Sequence, residues 1–378
     1  MELTPKERIL LAINNQIPDR VPVMPDFSNM IPCRLTGRPF WDIYLHRKPT
    51  ISQAYADAVD YFGIDGWFMG HVNMKKASKP EVTSSASPII NDRIHQTVVY
   101  RTAKGDLREI ITYLSDDPPT KTEKMVKDIQ KQFPMIRELY APIIGYDATH
   151  MEEHRRRVGD KGIFCLTVNY PGVQYWVNFF DDNAAGVTYA LYDEPEIMDE
   201  WAYLADREFT AMAEIQLSLK PDVLLFGGSG TLTLASPELV RKYALPTIKK
   251  ITRMAKEAGV PTMLHSCGKT MAFLDMLVNE TDLNCINPLE EPPMGDVILA
   301  EAKTLYGSKI CLMGNLNTST IMLQGSTDDV EIAAKKAIDD AGAGGGFILS
   351  TGDQCGRDTP DANIFKMVEV AKTYGVYR

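Results

Sequence analysis

The chain has 378 residues, 44% of them hydrophobic, with 40 Lys and Arg against 50 Asp and Glu. That length admits two domains or one large α/β barrel. The net charge of −10 excludes a nucleic-acid surface, which needs clustered cations, and no apolar run reaches the roughly 20 residues of a membrane span.

Thr4-Pro5-Lys6-Glu7 places a threonine N-cap, a proline and a capping-box glutamate in order, which predicts a helix to about Asn14. Charges at this end leave no apolar signal-peptide core. Six cysteines without such a leader do not make a disulfide framework, so the expectation is a cytoplasmic protein with reduced thiols. A first strand is expected over Asp19–Met24, ending near Asp26 and Phe27. A helix over Ser52–Phe62 then leads through Gly63 to a strand at Gly66–Met69. Thr97–Tyr100 and Glu109–Tyr113 read as a hairpin turning at Lys104-Gly105-Asp106, followed by helices near Lys121–Gln132 and Ala148–Val158. No Pro/Gly/Ser-rich linker flanks this block, so about 72–160 reads as an insertion in one domain spanning 1–378.

Strands and helices alternate from Gly162 onward. The strands are Ile163–Val168, Val223–Phe226, Pro261–His265, Asn284–Leu289, Ile310–Met313 and Phe347–Ser350. Helical patterns fall at Pro195–Leu219, Pro237–Gly259, Thr270–Val278, Asp296–Tyr306 and Asp328–Ala341, with a last one opening at Thr359-Pro360. With the two N-terminal strands this makes eight βα units, the pattern of an α/β fold closed as a (β/α)₈ TIM barrel. An open doubly wound sheet would need a glycine-rich phosphate turn after its first strand, and none follows Val21–Phe27.

Barrel function sits at the C-terminal ends of the strands. His265 and Cys267 end the fifth strand two positions apart, so an imidazole nitrogen and a thiolate can face one point, a donor pair suited to Zn²⁺. Taken by themselves they could equally be a strand-capping histidine and a buried cysteine. Cys355 follows the eighth strand, and barrel closure brings it to the same mouth as a third ligand. Three such ligands leave one position open, as in catalytic zinc sites. Glu290, with Glu291 as fallback, is the candidate for a labile fourth ligand; a solvated loop acid is the other reading. Asn315 follows the seventh strand, and Asp26 and His71 end the first and second, where they could orient a substrate. Tyr170, Tyr175, Trp176 and Phe179 follow the third strand. They could line a pocket for an aromatic ring or pack a helix on the barrel.

Several stretches resemble the uroporphyrinogen decarboxylase superfamily along nearly the whole chain. They are Glu7-Arg8-Ile-Leu-Leu-Ala, Pro18-Asp19-Arg20-Val-Pro22, Ser236-Pro237-Glu238 with Pro246, and His265-Ser-Cys267-Gly268. Gly314-Asn315-Leu316, Gly345-Gly346-Phe347 and Asp358-Thr-Pro360-Asp-Ala-Asn363-Ile364 continue the likeness. The resemblance implies the same barrel. Decarboxylases of that family carry a Trp-x-Met-Arg-Gln-Ala-Gly-Arg segment whose arginines hold porphyrinogen carboxylates. Here Met24-Pro-Asp26-Phe-Ser-Asn29-Met30 stands there, with no arginine until Arg34, so the charge-assisted partners are missing.

His-x-Cys with a distant Cys resembles the zinc- and corrinoid-dependent methyltransferase branch. That likeness implies Zn²⁺ on His265, Cys267 and Cys355, cobalamin carried by a corrinoid protein partner, and a small-molecule methyl donor or acceptor. No catalytic residue is implied beyond the metal site. An aryl methyl ether, demethylated at oxygen, is the expected donor. The other readings are a methylcobalamin:thiol methyltransferase, a tetrapyrrole decarboxylase and a non-catalytic zinc-binding barrel.

Overall fold

A computed structural model describes residues 2–228 and 230–377. Seven parallel strands form one curled sheet in sequence order: β1 (Gly66–Gly70), β2 (Gly162–Asn169), β3 (Val223–Gly227), β4 (Thr262–His265), β5 (Cys285–Asn287), β6 (Cys311–Leu316) and β7 (Phe347–Thr351). Alternate residues of every strand point inward, because side chains alternate across a strand. Trp67, Cys165, Leu225, Met263, Cys285, Met313 and Ile348 meet in one buried cluster. The opposite set, including Phe68, Phe164, Phe226, Leu264 and Ile286, packs outward in the larger core that contains helix residues such as Phe209 and Ile248. The strands start close together: a Cβ on Gly162 would lie 1.9 Å from the Gly66 carbonyl oxygen, so only glycine fits there.

Seven strands stand where eight were expected. Residues 21–24 do not form a strand, because Pro22 within them and Pro25 just after them remove two ladder donors. They still lie between the two edges of the sheet. Val23 bridges Leu349 in parallel, Met24 N donates to Leu349 O at 2.9 Å, and Asp65 N donates to Val23 O at 3.0 Å.

The N-terminal helix spans Pro5–Ile13 with the expected capping box in place. Its Ile9, Ala12 and Ile13 join the inner cluster. Arg8, 1% exposed, reaches Asp19 and Asp65 from this helix, and Arg20 also binds Asp65. The Ser52–Phe62 expectation becomes Ile51–Phe62, ended by Gly63 at φ +65°, a left-handed cap that suits glycine.

Residues 72–160 hold more strand than expected. Glu81–Ala86, Arg93–Thr102, Gly105–Leu114 and Thr120–Glu123 form an antiparallel sheet, and Asn73–Lys76 pairs with Ile143–Asp147. The helix expected from Lys121 is therefore a strand first and a helix only over Ile129–Ile136, since Thr120-Lys-Thr-Glu123 alternates at period two against Thr112. The helix expected over Pro237–Gly259 is two, Pro237–Tyr243 and Leu245–Glu257, parted before Pro246. This block also meets distant segments: Asp116 binds Arg357, after β7, at 2.6 Å, and Ile94 and Tyr113 pack with Trp41.

Candidate metal centre

The shortness of β4 and β5 brings the mouth residues together. His265 is the last residue of β4, and Ser266 N donates to Asn287 O at 2.8 Å, continuing the ladder past the strand end. Ligand atoms of His265, Cys267 and Asp353 all lie within 4.8 Å of one another. His265 Nε2 stands 3.6 Å from Asp353 Oδ1. Two ligands of a tetrahedral Zn²⁺ with bonds of about 2.0–2.3 Å sit roughly 3.3–3.8 Å apart, so this spacing matches one edge of a coordination tetrahedron. One nitrogen, one sulfur and one carboxylate oxygen form a set that suits a borderline divalent ion such as Zn²⁺.

Other acids surround the group. Asp26, 5% exposed, follows the 21–24 segment, and its N–H donates to Thr351 Oγ1 at 2.9 Å while the Ser28 hydroxyl donates to its carboxylate. Burial pushes the Asp26 carboxyl up, and the nearby His265 opposes that. Glu290, also 5% exposed, accepts the Gly268 N–H, and burial pushes its carboxyl up as well. Among the described residues no Lys or Arg forms an ion pair with Asp26, Glu290 or Asp353. Gathered carboxylates without a side-chain cation favour a bound one.

Cys355 is fully buried, with its N–H on Asp26 O at 2.8 Å, and its thiol is pushed up to about 12 by that burial. The structure brings it to the mouth beside Asp26 but not into the 4.8 Å group; Asp353 of the same loop stands there. A search for soft ligands passes over Asp353, although the strand-end rule that selects Cys355 applies equally to an acid two residues earlier.

Asn287 was missed too. Its Nδ2 lies 3.2 Å from His265 Nδ1, while its Oδ1 is buried with no partner. Turning the amide over would put Oδ1 on a His265 Nδ1–H, leaving the Nε2 lone pair facing Cys267 and Asp353. Behind the site a hydroxyl chain runs from Tyr170 to Thr231 at 2.9 Å and from Ser266 to Thr231 at 2.9 Å, stiffening the β4 end.

The remaining expected residues lie elsewhere. Tyr175 and Trp176 lie in the short helix Val173–Val177, Phe179 follows it, and all three pack on other helices: Tyr175 meets Phe209 at 5.0 Å, Trp176 meets Tyr243 at 5.2 Å, and Phe179 meets Trp201 at 5.3 Å. His71 is exposed, 3.3 Å from Thr167 Oγ1. Asn315 donates to Leu289 O at 3.1 Å, and with Glu291 it lines a separate surface cavity of about 370 Å³ beside the helix Thr327–Ala341.

The uroporphyrinogen decarboxylase (URO-D) family model matches residues 181–374, just over half of the chain. The chain belongs to this family. Within it, similar proteins carry two kinds of name. The methylcobamide:CoM methyltransferase MtbA of Methanosarcina mazei is 35% identical over 154 residues, 40% of this chain and 42% of that protein. A uroporphyrinogen decarboxylase of Thioalkalivibrio sulfidiphilus is 26% identical over 170 residues, 43% of this chain and 44% of its own. The chain thus spans less than half the length of these curated relatives. A solved structure described as a methyltransferase from Methanosarcina mazei superposes over 99% of both chains with a TM-score of 0.66 and 16% identity, which supports the fold. Among the described residues no helix is long and apolar enough to cross a membrane.

Proposed function

We propose that this family member is a zinc-dependent corrinoid methyltransferase, moving a methyl group between a small-molecule heteroatom and the cobalt of a corrinoid carried by a partner protein. The grouping of His265, Cys267 and Asp353 at the mouth carries the reading, and the names of the similar methyltransferases support it. We assign zinc to His265, Cys267 and, from the sequence pattern, Cys355, with a carboxylate completing the shell. Zinc bound there would lower the pKa of a thiol or polarise an ether oxygen. The chain's own residues do the rest. Asn287 fixes the imidazole, Ser266 and Thr231 hold the strand end rigid, and the β4, β5 and β7 loops shape an opening for the cobalt. We also read the 21–24 segment as the eighth stave of a closed barrel, because Met24 shares the inner cluster with all seven strands.

The thiol acceptor is the first reading, favoured by the methylcobamide:CoM relatives. An aryl methyl ether donor, expected from the aromatic segment, comes second because Tyr175, Trp176 and Phe179 are engaged in packing. The deciding experiment loads the protein with zinc and offers methylcobalamin with a thiol panel, then cob(I)alamin with methoxylated aromatics. Loss or gain of the methylcobalamin absorbance is followed, with Cys267→Ala as control. No transfer in either direction, with stoichiometric zinc retained, would point to a non-catalytic zinc barrel. Carbon dioxide release from porphyrinogens that survives chelation would mean a decarboxylase.

A further inference from the structure

We propose that the strand Glu81–Ala86 is a self-association surface, pairing antiparallel with the same strand of a second copy of this chain about a two-fold axis at Ser84. Neither the metal centre nor the reaction enters into it. Glu81–Ala86 is the outer strand of the four-stranded antiparallel sheet and pairs with Arg93–Thr102 on one side only. All six of its residues are exposed. Native sheets guard such an edge with a lysine, a proline, a bulge or a covering element. Here the register runs without a shift from Glu81 opposite Arg101 to Ala86 opposite Gln96. Pro80 and Pro88 stand outside the strand, and its one charge, Glu81, is its first residue.

The backbone fixes which groups are offered. Ser87 N donates to His95 O at 2.9 Å, in the same register, so 87 and 95 form a hydrogen-bonded pair. Such pairs alternate along an antiparallel ladder, so Glu81, Thr83 and Ser85 spend their backbone groups on the neighbouring strand. Val82, Ser84 and Ala86 then point N–H and C=O away from the sheet. Among the described residues no backbone hydrogen bond engages these outward groups.

The side chains favour a second copy as the occupant. A two-fold axis at Ser84 sets Ser84 opposite Ser84, Val82 opposite Ala86, and Thr83 opposite Ser85. Apolar thus meets apolar and hydroxyl meets hydroxyl on both sides of the axis, and directly opposed residues are the pairs that stabilise a sheet. Val82, 53% exposed, would be covered by Ala86 of the second copy. The same axis makes Val82, Ser84 and Ala86 hydrogen-bonded pairs, so the outward groups of one copy meet those of the other. The two Glu81 carboxylates fall six residues apart along the joint, roughly 20 Å, beyond the screening length of about 8 Å at physiological salt. The two sheets would join into one of eight strands. A single short strand from each copy is a small contact beside the about 1,200–2,000 Å² of a standard interface, so the dimer is a weak one.

The test follows full-length protein by sedimentation velocity over roughly 5 to 200 µM, where the wild type should pass from monomer towards dimer. Ser84→Lys sets two ammonium groups against each other at the axis, and Ser84→Glu sets two carboxylates there. Each variant alone should dimerise at least about fivefold more weakly, whereas their equimolar mixture should recover the wild-type affinity to within about threefold, because opposite charges then face each other. Ser84→Pro, which removes an outward N–H and leaves the ladder to Arg93–Thr102 intact, should weaken the dimer in the same direction. Circular dichroism and the urea midpoint serve as fold controls. Wild-type protein that stays monomeric throughout would overturn the proposal. So would a dimer unchanged by both charge variants, which would lie on another face, or a mixture that associates no better than either variant alone.

Discussion

Replacing Asp65 by alanine tests how the ends of the curled sheet are held together. Asp65 is 1% exposed and accepts four hydrogen bonds: Arg8 Nη1 at 2.7 Å, Arg20 Nη1 at 2.9 Å, Arg20 Nη2 at 3.1 Å and Val23 N at 2.8 Å. In the variant Arg8 keeps Asp19, with contacts at 2.7 and 2.9 Å, whereas Arg20 retains only the Val21 carbonyl at 3.1 Å. One buried guanidinium is thus stripped of its carboxylate and a second loses one of its four hydrogen bonds. Breaking a buried pair from one side costs about 3–5 kcal/mol, most of it from the charge left uncompensated. Against a total stability of about 5–15 kcal/mol, that is about a fifth or more of the margin. Urea unfolding followed by tryptophan fluorescence should show a midpoint lowered by the corresponding amount, with a smaller loss in Asp65→Asn, which keeps the shape but not the charge. A loss below about 1 kcal/mol in Asp65→Ala would refute the idea that this network, and not apolar packing, fastens the 21–24 segment to β1.

Asp19 should leave its mark on acid stability. Burial raises its carboxyl, but hydrogen bonds from Arg8, Leu3 N–H and Arg20 N–H outweigh that and hold it at about 2, below its ordinary 3.8. Its contribution is therefore complete above the unfolded value and is lost as pH falls from about 4 to 2; Asp19→Asn should flatten that limb of a stability–pH curve. Asn287→Ala should weaken zinc binding by about 10- to 100-fold in a competition titration with a chelator, without lowering the unfolding midpoint by more than about 1 kcal/mol, because it removes only the group that aims His265. Cys355→Ser should reduce the sulfur count at zinc from two to one by X-ray absorption; an unchanged count would leave Cys267 as the single protein thiolate.

Local signals were enough for what depends on neighbours in the chain. Thr4, Pro5 and Glu7 wrote the first helix and its capping box, Gly63 stopped the helix before β1, and the apolar runs of β1–β7 fell within three residues of their places. The strand-end rule also put His265, Cys267 and Glu290 on one side of the sheet, because in a parallel sheet every C-terminal end faces that side. Tertiary structure alone decided matters that turn on distance and competition. Whether Pro22 and Pro25 leave a ladder or isolated hydrogen bonds depends on the edges they meet. Rings at 175–179 serve packing because Trp201, Phe209 and Tyr243 arrive from distant helices to cover them. Which acid stands beside His265 is likewise set by how the loop after β7 folds over the mouth. Asp353 and Cys355 are two residues apart and both can ligate, yet only a backbone at φ +100° presents the carboxylate while the thiol turns into the core. The residue types and their periodicity are local properties, but the meeting point of three side chains depends on every strand between them.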